Sequence, residues 1–174
     1  MIWVCANPRT LPGGPDLLAL YDRTLPEVYG YLRARVGTTA LAEDLTSETF
    51  LAAVDALRRG RGDQLSGAWL MTVARNKLVD HWRRREREER SLHLAHDHDV
   101  VVEPWDAHLD AAHAREVLAT LAVEHRAALT LCYLDGLPVV QVADLLGRTL
   151  HATEALLVRT RAAFRRAYGD GRPE

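Results

Sequence analysis

The chain has 174 residues, of which 48% are hydrophobic and 26% are charged, and its formal net charge is −2. This length suffices for one ordinary domain or for two small ones with buried cores. No apolar run approaches the roughly 20 residues that a membrane helix needs, so we predict a cytoplasmic protein without membrane insertion. Only Cys5 and Cys132 are present, and neither a disulfide framework nor a cysteine zinc site is indicated.

Charge is unevenly distributed along the chain. Residues 58–90 carry ten basic and five acidic side chains, and residues 148–174 carry six Arg and three acidic side chains. By contrast, residues 16–57 have three Arg against seven acids, and residues 91–113 have five acids and no Lys or Arg. Clustered cations favour binding to a polyanion whatever the overall charge. Two basic patches therefore predict two contacts with nucleic acid.

The first half of the chain predicts three helices after a flexible leader at residues 1–15, which are rich in Pro and Gly. Apolar residues recur at spacings of three and four from residue 16 to residue 32, and Gly37 then ends the first helix. Thr38 or Thr39 can cap the second helix. Its expected apolar side consists of Leu41, Leu45, Phe50, Val54 and Leu57.

The third helix is predicted to run from a cap at Ser66 to about Glu89. Its inward stripe is expected to contain Met71, Ala74, Leu78 and Trp82. Its outward stripe is expected to contain Thr72, Asn76, Asp80 and Arg83. Residues 91–110 then lose the helical period and gain His and acidic side chains, which indicates a linker between two domains.

A second helical block is predicted to start near Ala111. Its expected apolar positions are Val117, Leu118, Leu121, Ala128, Leu129, Leu131, Cys132 and Leu134. Residues 139–159 have the spacing of a helix-turn-helix, with the small Ala143 where two helices would touch and Gly147 suited to a left-handed turn. The inward residues of its second helix are expected to be Leu150, Leu157 and Phe164.

Three segments together resemble one protein family. The run AEDLTSETFL at residues 42–51 looks like region 2.2 of sigma factors of the extracytoplasmic-function group, residues 68–85 are similar to their region 2.3 to 2.4 helix, and residues 136–166 resemble region 4.2. The resemblance implies an all-α fold of two small helical domains. These are a sigma region 2 bundle at residues 16–90 and a sigma region 4 helix-turn-helix at residues 111–170, joined by a flexible linker at residues 91–110.

The resemblance also implies an activity and partners. The chain is expected to be an alternative sigma factor, not an enzyme, which binds core RNA polymerase and directs it to promoter DNA. Relatives are commonly held inactive by an anti-sigma protein, which the resemblance suggests and no residue here demonstrates. No cofactor and no metal are expected.

The resemblance places the polymerase contact on region 2.2. The matching positions are Asp44, Leu45, Glu48 and Phe50. Asp44 and Glu48 lie one helical turn apart and can offer two carboxylates to a partner, whereas Leu45 and Phe50 are expected to pack in the core. The chain departs from the family at Ser47, where relatives often have Gln.

The resemblance assigns promoter contacts to both domains. The minus-10 contacts implied for region 2 are Trp69, Arg75, Asn76, Asp80, Arg83, Arg84 and Arg85. The minus-35 contacts implied for region 4 are Arg148, Thr149, His151, Glu154, Ala155, Arg159 and Arg161. Many relatives have Lys, Ser and Arg where this chain has Glu154, Ala155 and Leu156, so the reading helix is less basic than in those relatives.

Two other functions were weighed against these residues. An operator-binding regulator would explain the helix-turn-helix but not residues 42–51 or the Arg-rich third helix. A metal-dependent enzyme or sensor could use the imidazoles and carboxylates of the linker region, but a stretch without helical period does not fix ligand geometry. Its candidate ligands are His93, His96, Asp97, His98, Asp99, His108 and His113.

Overall fold

The computed structural model describes residues 17–92 and 109–170, with side chains at 17–88 and 113–169. All regular structure in these residues is helical, which confirms the predicted all-α class. The helices are α1 (Leu17–Arg33), α2 (Thr39–Arg58), α3 (Gly67–Leu92), α4 (Leu109–Thr120), α5 (Val123–Leu129), α6 (Val139–Leu146) and α7 (Leu150–Asp170). The expected leader at residues 1–15 lies outside the described residues, as does most of the expected linker. Among the described residues no helix combines the length and apolarity needed to cross a bilayer.

The described residues divide into two compact units, the first ending at Leu78 and the second beginning at Val79. The division falls inside α3, so this helix contributes its first part to one unit and its second part to the other. The predicted domain bounds at residues 90 and 111 differ from this division and stay a prediction.

The helix starts in the first unit follow the predicted caps. The Thr38 hydroxyl accepts a hydrogen bond from the Leu41 amide at 3.3 Å, and the Ser66 hydroxyl accepts one from the Trp69 amide at 3.1 Å. Each satisfies one of the amides that a helix N-terminus leaves without a partner. Between α2 and α3 the chain turns at Gly60, whose φ is +73°.

The core of the first unit uses small and hydroxyl side chains where α1 and α2 pack together. Ala42, Thr49 and Ala53 are fully buried, so the buried face of α2 is centred on residues other than the predicted Leu41, Val54 and Leu57, which are half-buried. The Thr49 hydroxyl donates to the carbonyl of Leu45 at 2.8 Å, and Thr24 and Thr46 make the same bond to the residue four positions earlier. These bonds satisfy the buried hydroxyls inside their own helices.

The second unit contains the predicted helix-turn-helix. Ala143 is 3% exposed, and Gly147 ends α6 in the left-handed conformation with φ +62° and ψ +38°, so both expectations are confirmed. A side chain at Gly147 would be strained by the backbone alone, since L-residues rarely adopt positive φ. The Thr149 hydroxyl caps α7 by accepting from the Ala152 amide at 3.2 Å.

Two predicted core positions in the second unit are wrong. Leu134 is 59% exposed because residues Thr130–Leu134 form a π-helical turn, which shifts the side chains that follow relative to an α-helical period. Leu150 is 44% exposed, since it is the first residue of α7. The other predicted positions that are not fully buried are half-buried, namely Leu118, Leu121, Cys132 and Phe164. The face of α7 that packs inward consists of Thr153, Leu156, Leu157 and Thr160.

Candidate nucleic-acid interface

The residues predicted for the polymerase contact separate into a buried pair and an outer pair. Leu45 and Phe50 are 3% and 8% exposed, as expected for core residues, and the Phe50 ring packs edge-on against Tyr21 of α1 at 4.6 Å between centroids. Asp44 is exposed and Glu48 is half-buried. The two carboxylates therefore form the accessible part, while Leu45 and Phe50 hold α2 in place behind them.

Two neighbours of this surface were missed in the sequence. The Lys77 ammonium of α3 lies 3.0 Å from a carboxylate oxygen of Glu48. Leu51 is 62% exposed, three positions after Glu48 on the same side of α2. The Lys77 pair joins residues far apart in sequence, so no local spacing predicts it, whereas Leu51 could have been found from its position three residues after Glu48.

The predicted minus-10 residues of the first unit lie in the first half of α3. Asn76 is exposed, one turn after the exposed Thr72 of the predicted outward stripe. Trp69 and Arg75 are half-buried. The Arg75 guanidinium carbon lies 5.7 Å from the centroid of the Tyr31 ring of α1, which also carries the guanidinium of Arg35 at 3.9 Å. Neither Tyr31 nor Arg35 was singled out in the sequence.

The remaining predicted minus-10 residues belong to the part of α3 in the second unit. Asp80, Arg84 and Arg85 are exposed. Arg83 is different, because its guanidinium donates to the carbonyl of Leu146, the last residue of α6, at 2.8 Å. This bond satisfies one of the free carbonyls at the end of the first helix of the helix-turn-helix. In this structure Arg83 therefore supports the turn.

Two further residues of α3 in the second unit are partly or fully buried. Trp82 is 6% exposed, which confirms its predicted core position, and the Arg126 guanidinium lies 5.1 Å from its ring centroid. Burial lowers the pKa of His81, and the nearby charges of Arg84 and Arg85 lower it further. Its Nδ1 is buried and has no hydrogen-bond partner within the described part of the chain.

Most predicted minus-35 residues are exposed along α7. His151, Glu154 and Ala155 lie in its first two turns, and Arg159 and Arg161 follow further along. The His151 and Glu154 side chains lie 4.0 Å apart. Leu156, the third position of the departure from relatives, is 3% exposed. It therefore packs in the helix-turn-helix core and cannot face DNA.

Arg148, at the turn before α7, already has a protein partner. Its guanidinium forms a hydrogen bond and an ion pair with the carboxylate of Glu124 in α5. The hydrogen bond from Arg148 lowers the pKa of Glu124 and raises the pKa of Arg148 itself. The same pair links α5 to the start of the second helix of the helix-turn-helix.

Most ligands of the alternative metal-site interpretation lie outside the described residues. Within residues 17–92 and 109–170 no group of three or more His, Cys, Asp or Glu side chains is arranged to hold a metal ion. His113, the one candidate whose side chain is described, contacts the Tyr168 carbonyl of α7 at 3.3 Å. His93 to His108 lie outside the described residues.

Comparisons with known proteins match both units. The Sigma-70 region 2 family matches residues 20–88 and the Sigma-70 region 4 family matches residues 114–171. The ECF RNA polymerase sigma factor BldN of Streptomyces coelicolor is 34% identical over 160 residues, which are 87% of this chain and 60% of BldN. The chain thus spans less than two thirds of that relative.

A second relative is matched over more of its length. The ECF RNA polymerase sigma factor SigL of Mycobacterium tuberculosis is 33% identical over 141 residues, covering 74% of this chain and 75% of SigL. The solved structure of the sigma factor RpoE in complex with the anti-sigma factor NepR from Bartonella quintana shares the fold, with a TM-score of 0.65 at 22% identity over 90% of this chain and 99% of that one. The chain belongs to the extracytoplasmic-function sigma factors of the sigma-70 family.

Proposed function

We propose that this chain is an alternative sigma factor that binds core RNA polymerase through α2 and directs it to promoters through α3 and the helix-turn-helix. It works by binding and not as an enzyme, in the cytoplasm, where polymerase and DNA are found. Residues 16–90 serve as sigma region 2 and residues 111–170 as sigma region 4, joined by residues 91–110. The observation that carries the proposal is the accessible stripe formed by Asp44, Glu48 and Leu51 of α2. An ordinary operator-binding regulator does not need such a surface, because it does not bind polymerase through this helix.

That stripe suits a basic partner with an apolar centre. Asp44, Glu48 and Leu51 follow one another at spacings of four and three, so they share one side of α2. Two carboxylates can accept hydrogen bonds from Arg side chains, and the 62% exposed Leu51 offers an apolar contact beside them. Leu45 and Phe50 contribute from behind by fixing the position of α2.

For the minus-10 element we propose contacts from α3. Asn76 and Asp80 are exposed and can meet base edges or phosphates, while Arg75, Arg84 and Arg85 add charge for the DNA backbone. Trp69 is half-buried, and the proposal gives its accessible part the role of stacking on an unpaired base. Arg83 contributes to DNA binding only if it leaves the Leu146 carbonyl.

For the minus-35 element we propose that the start of α7 enters the major groove. His151 and Glu154 reach base edges there, and Glu can accept a hydrogen bond from a cytosine amino group. Ala155 can pack against a base, Arg159 and Arg161 contact phosphates, and Thr149 lies at the entry to the helix. Arg148 joins the phosphate contacts when its pairing with Glu124 opens.

The test is co-purification with core RNA polymerase followed by run-off transcription from a library of promoter fragments. We expect the Asp44→Lys, Glu48→Lys double variant to lose core binding by more than about tenfold, because like charges then face a basic partner. Asp22→Lys, an exposed reversal on α1, serves as the control and should bind core normally. A chain that ignores core and binds a duplex operator unaided would establish the regulator instead.

An anti-sigma protein is the regulatory partner that we propose in addition. Support comes from the family, since the structurally similar RpoE was solved with the anti-sigma factor NepR. Its capture from cells with this chain as bait, and its displacement by core polymerase, would test the proposal.

A further inference from the structure

An ion pair joins α3 to the stripe of α2 that is proposed to bind polymerase. The Lys77 ammonium lies 3.0 Å from a carboxylate oxygen of Glu48, and the two side chains keep 36% and 45% of their surface exposed. Both helices are held in place beside the pair, since Thr49 of α2 and Ala74 and Leu78 of α3 are buried. The fold therefore brings a cation of this chain to a carboxylate that is proposed to meet a basic partner.

We infer that Lys77 occupies the place of a polymerase cation, and that core RNA polymerase displaces it from Glu48 when it docks. The inference rests on the proposed function, because it concerns the surface of α2 through which this chain is proposed to bind core. The group that replaces Lys77 is an arginine or lysine side chain of polymerase. Lys77 thus limits the affinity of the chain for core.

The charge of the stripe supports competition. Asp44 and Glu48 carry two negative charges, but the Lys77 ammonium offsets one of them at hydrogen-bonding distance. A basic partner is only weakly attracted to a neutral pair, because the attraction by Glu48 is opposed by the repulsion from Lys77. Full attraction by both carboxylates therefore requires that Lys77 leave Glu48.

The exposure of the pair makes displacement easy. An ion pair with both members open to solvent contributes little to stability, because water screens the charges and a long side chain loses freedom when it is held. The Lys77 ammonium ends a flexible four-carbon stem, so it can turn to solvent while α3 stays in place. An arginine of the partner can donate two parallel hydrogen bonds to Glu48, which makes it a better donor than the ammonium it replaces.

A supporting role for Lys77 predicts the opposite effect of its removal. A carboxylate has lone pairs for several donors, so Lys77 could stay in place and orient Glu48 towards the partner. Two cations would then lie close together in an interface that excludes water, where their repulsion is stronger than at a free surface. This repulsion favours displacement over sharing, and the sign of the change in affinity separates the two roles.

The experiment measures the affinity of the full chain for core RNA polymerase, in competition with a parent chain that carries a dye at its N-terminus. We expect Lys77→Met, which keeps the length of the side chain and removes its charge, to bind core about two- to fivefold more tightly, as for the release of one exposed ion pair. Lys77→Arg keeps the cation and should bind no more tightly than the parent. Arg23→Met, which removes an exposed cation of α1, is the matched control and should leave the affinity unchanged.

A double-mutant cycle separates the release of Glu48 from a general loss of positive charge. In a Glu48→Gln background Lys77 has no carboxylate to occupy at this position. Adding Lys77→Met to that background should therefore raise the affinity for core by less than about 1.5-fold. Thermal unfolding of each variant checks that a change in affinity does not come from misfolding.

Two results would overturn the inference. One is an affinity of Lys77→Met that equals that of the parent or falls below it, and a fall would make Lys77 a residue that supports Glu48. The other is an equal gain in the parent and Glu48→Gln backgrounds, which would reduce the effect to general charge. If the parent binds core and the Asp44→Lys, Glu48→Lys double variant does not, either result removes this inference and leaves the proposed function standing. A parent chain that does not bind core removes both.

Discussion

The arginines of the two units are used differently. In the first unit the guanidinium carbons of Arg35 and Arg75 lie 3.9 Å and 5.7 Å from the centroid of the Tyr31 ring, so both cations contact one aromatic side chain. In the second unit Arg148 is paired with Glu124, and Arg83 donates to a helix-terminal carbonyl. Net charge along the sequence counts these side chains alike. The structure shows that an arginine can serve the fold of a DNA-binding unit before it serves DNA, and that the two roles must be separated residue by residue.

The largest expected effect is the loss of stability when a tryptophan is replaced by Ala, and this loss should differ between the two units. Trp82→Ala should lower the free energy of unfolding by about 3–5 kcal/mol, because it removes a buried ring that also carries the Arg126 guanidinium. Trp69→Ala should cost about 1 kcal/mol or less, since its ring is half-buried, yet it should slow run-off transcription. Urea unfolding and transcription at a temperature where both variants are folded measure the two effects. Equal losses of stability in Trp82→Ala and Trp69→Ala would contradict the predicted difference between the two tryptophans. If Trp82→Ala does not fold, Trp82→Phe takes its place in the measurement.

An intermediate effect is expected from releasing Arg148. Glu124→Gln removes the charge that pairs with this arginine, so the guanidinium becomes available to a phosphate. We expect promoter affinity of the holoenzyme to rise about two- to threefold at low salt, with a steeper salt dependence, and thermal stability to fall slightly. Arg148→Gln should lower stability in the same direction but weaken promoter binding. If both variants change stability and neither changes DNA binding, the pair is purely structural.

The smallest effect expected is on pH dependence. The pKa of His81 is lowered from its ordinary value of 6.5 by burial and by nearby arginines, so between the lowered pKa and 6.5 the unfolded chain binds a proton that the folded chain does not. Stability should therefore fall as pH drops from about 7 towards the lowered pKa. His81→Gln should flatten this slope in thermal melts. An identical slope in the parent and in His81→Gln would contradict the assignment.

Helix positions were largely predictable because their signals are local. The caps at Thr38 and Ser66 and the left-handed Gly147 each depend on a residue and its immediate neighbours. The period of apolar residues placed α3 with its inward Trp82 correctly. These features follow from backbone chemistry that any helix shares.

Burial was less predictable where the core contains polar residues. Thr153 is fully buried, and its hydroxyl donates to the Thr149 carbonyl at 3.0 Å. A hydroxyl satisfied inside its own helix makes threonine suitable for a core, although its polarity suggests a surface position. The apolar pattern therefore predicts Leu150, Leu157 and Phe164 as the inward residues of α7, and of these only Leu157 is fully buried, beside Thr153 and Leu156.

Contacts between distant residues were not predictable at all. Glu48 with Lys77, Arg148 with Glu124, and Tyr31 with Arg75 each join different helices. Nothing in the spacing of one helix specifies the partner that the fold brings to it. The candidate sites were therefore located correctly as segments of helices, while the partners of individual side chains had to come from the structure.

The pairing of Glu48 with Lys77 has a practical consequence, since Lys77 is the single lysine of the chain. Reagents that modify primary amines have one internal target, and it lies 3.0 Å from a carboxylate of the proposed docking stripe. A dye or an amine-reactive crosslinker placed there would report on the junction with polymerase at one known position. The residue composition thus provides a built-in site for labelling without any cysteine substitution.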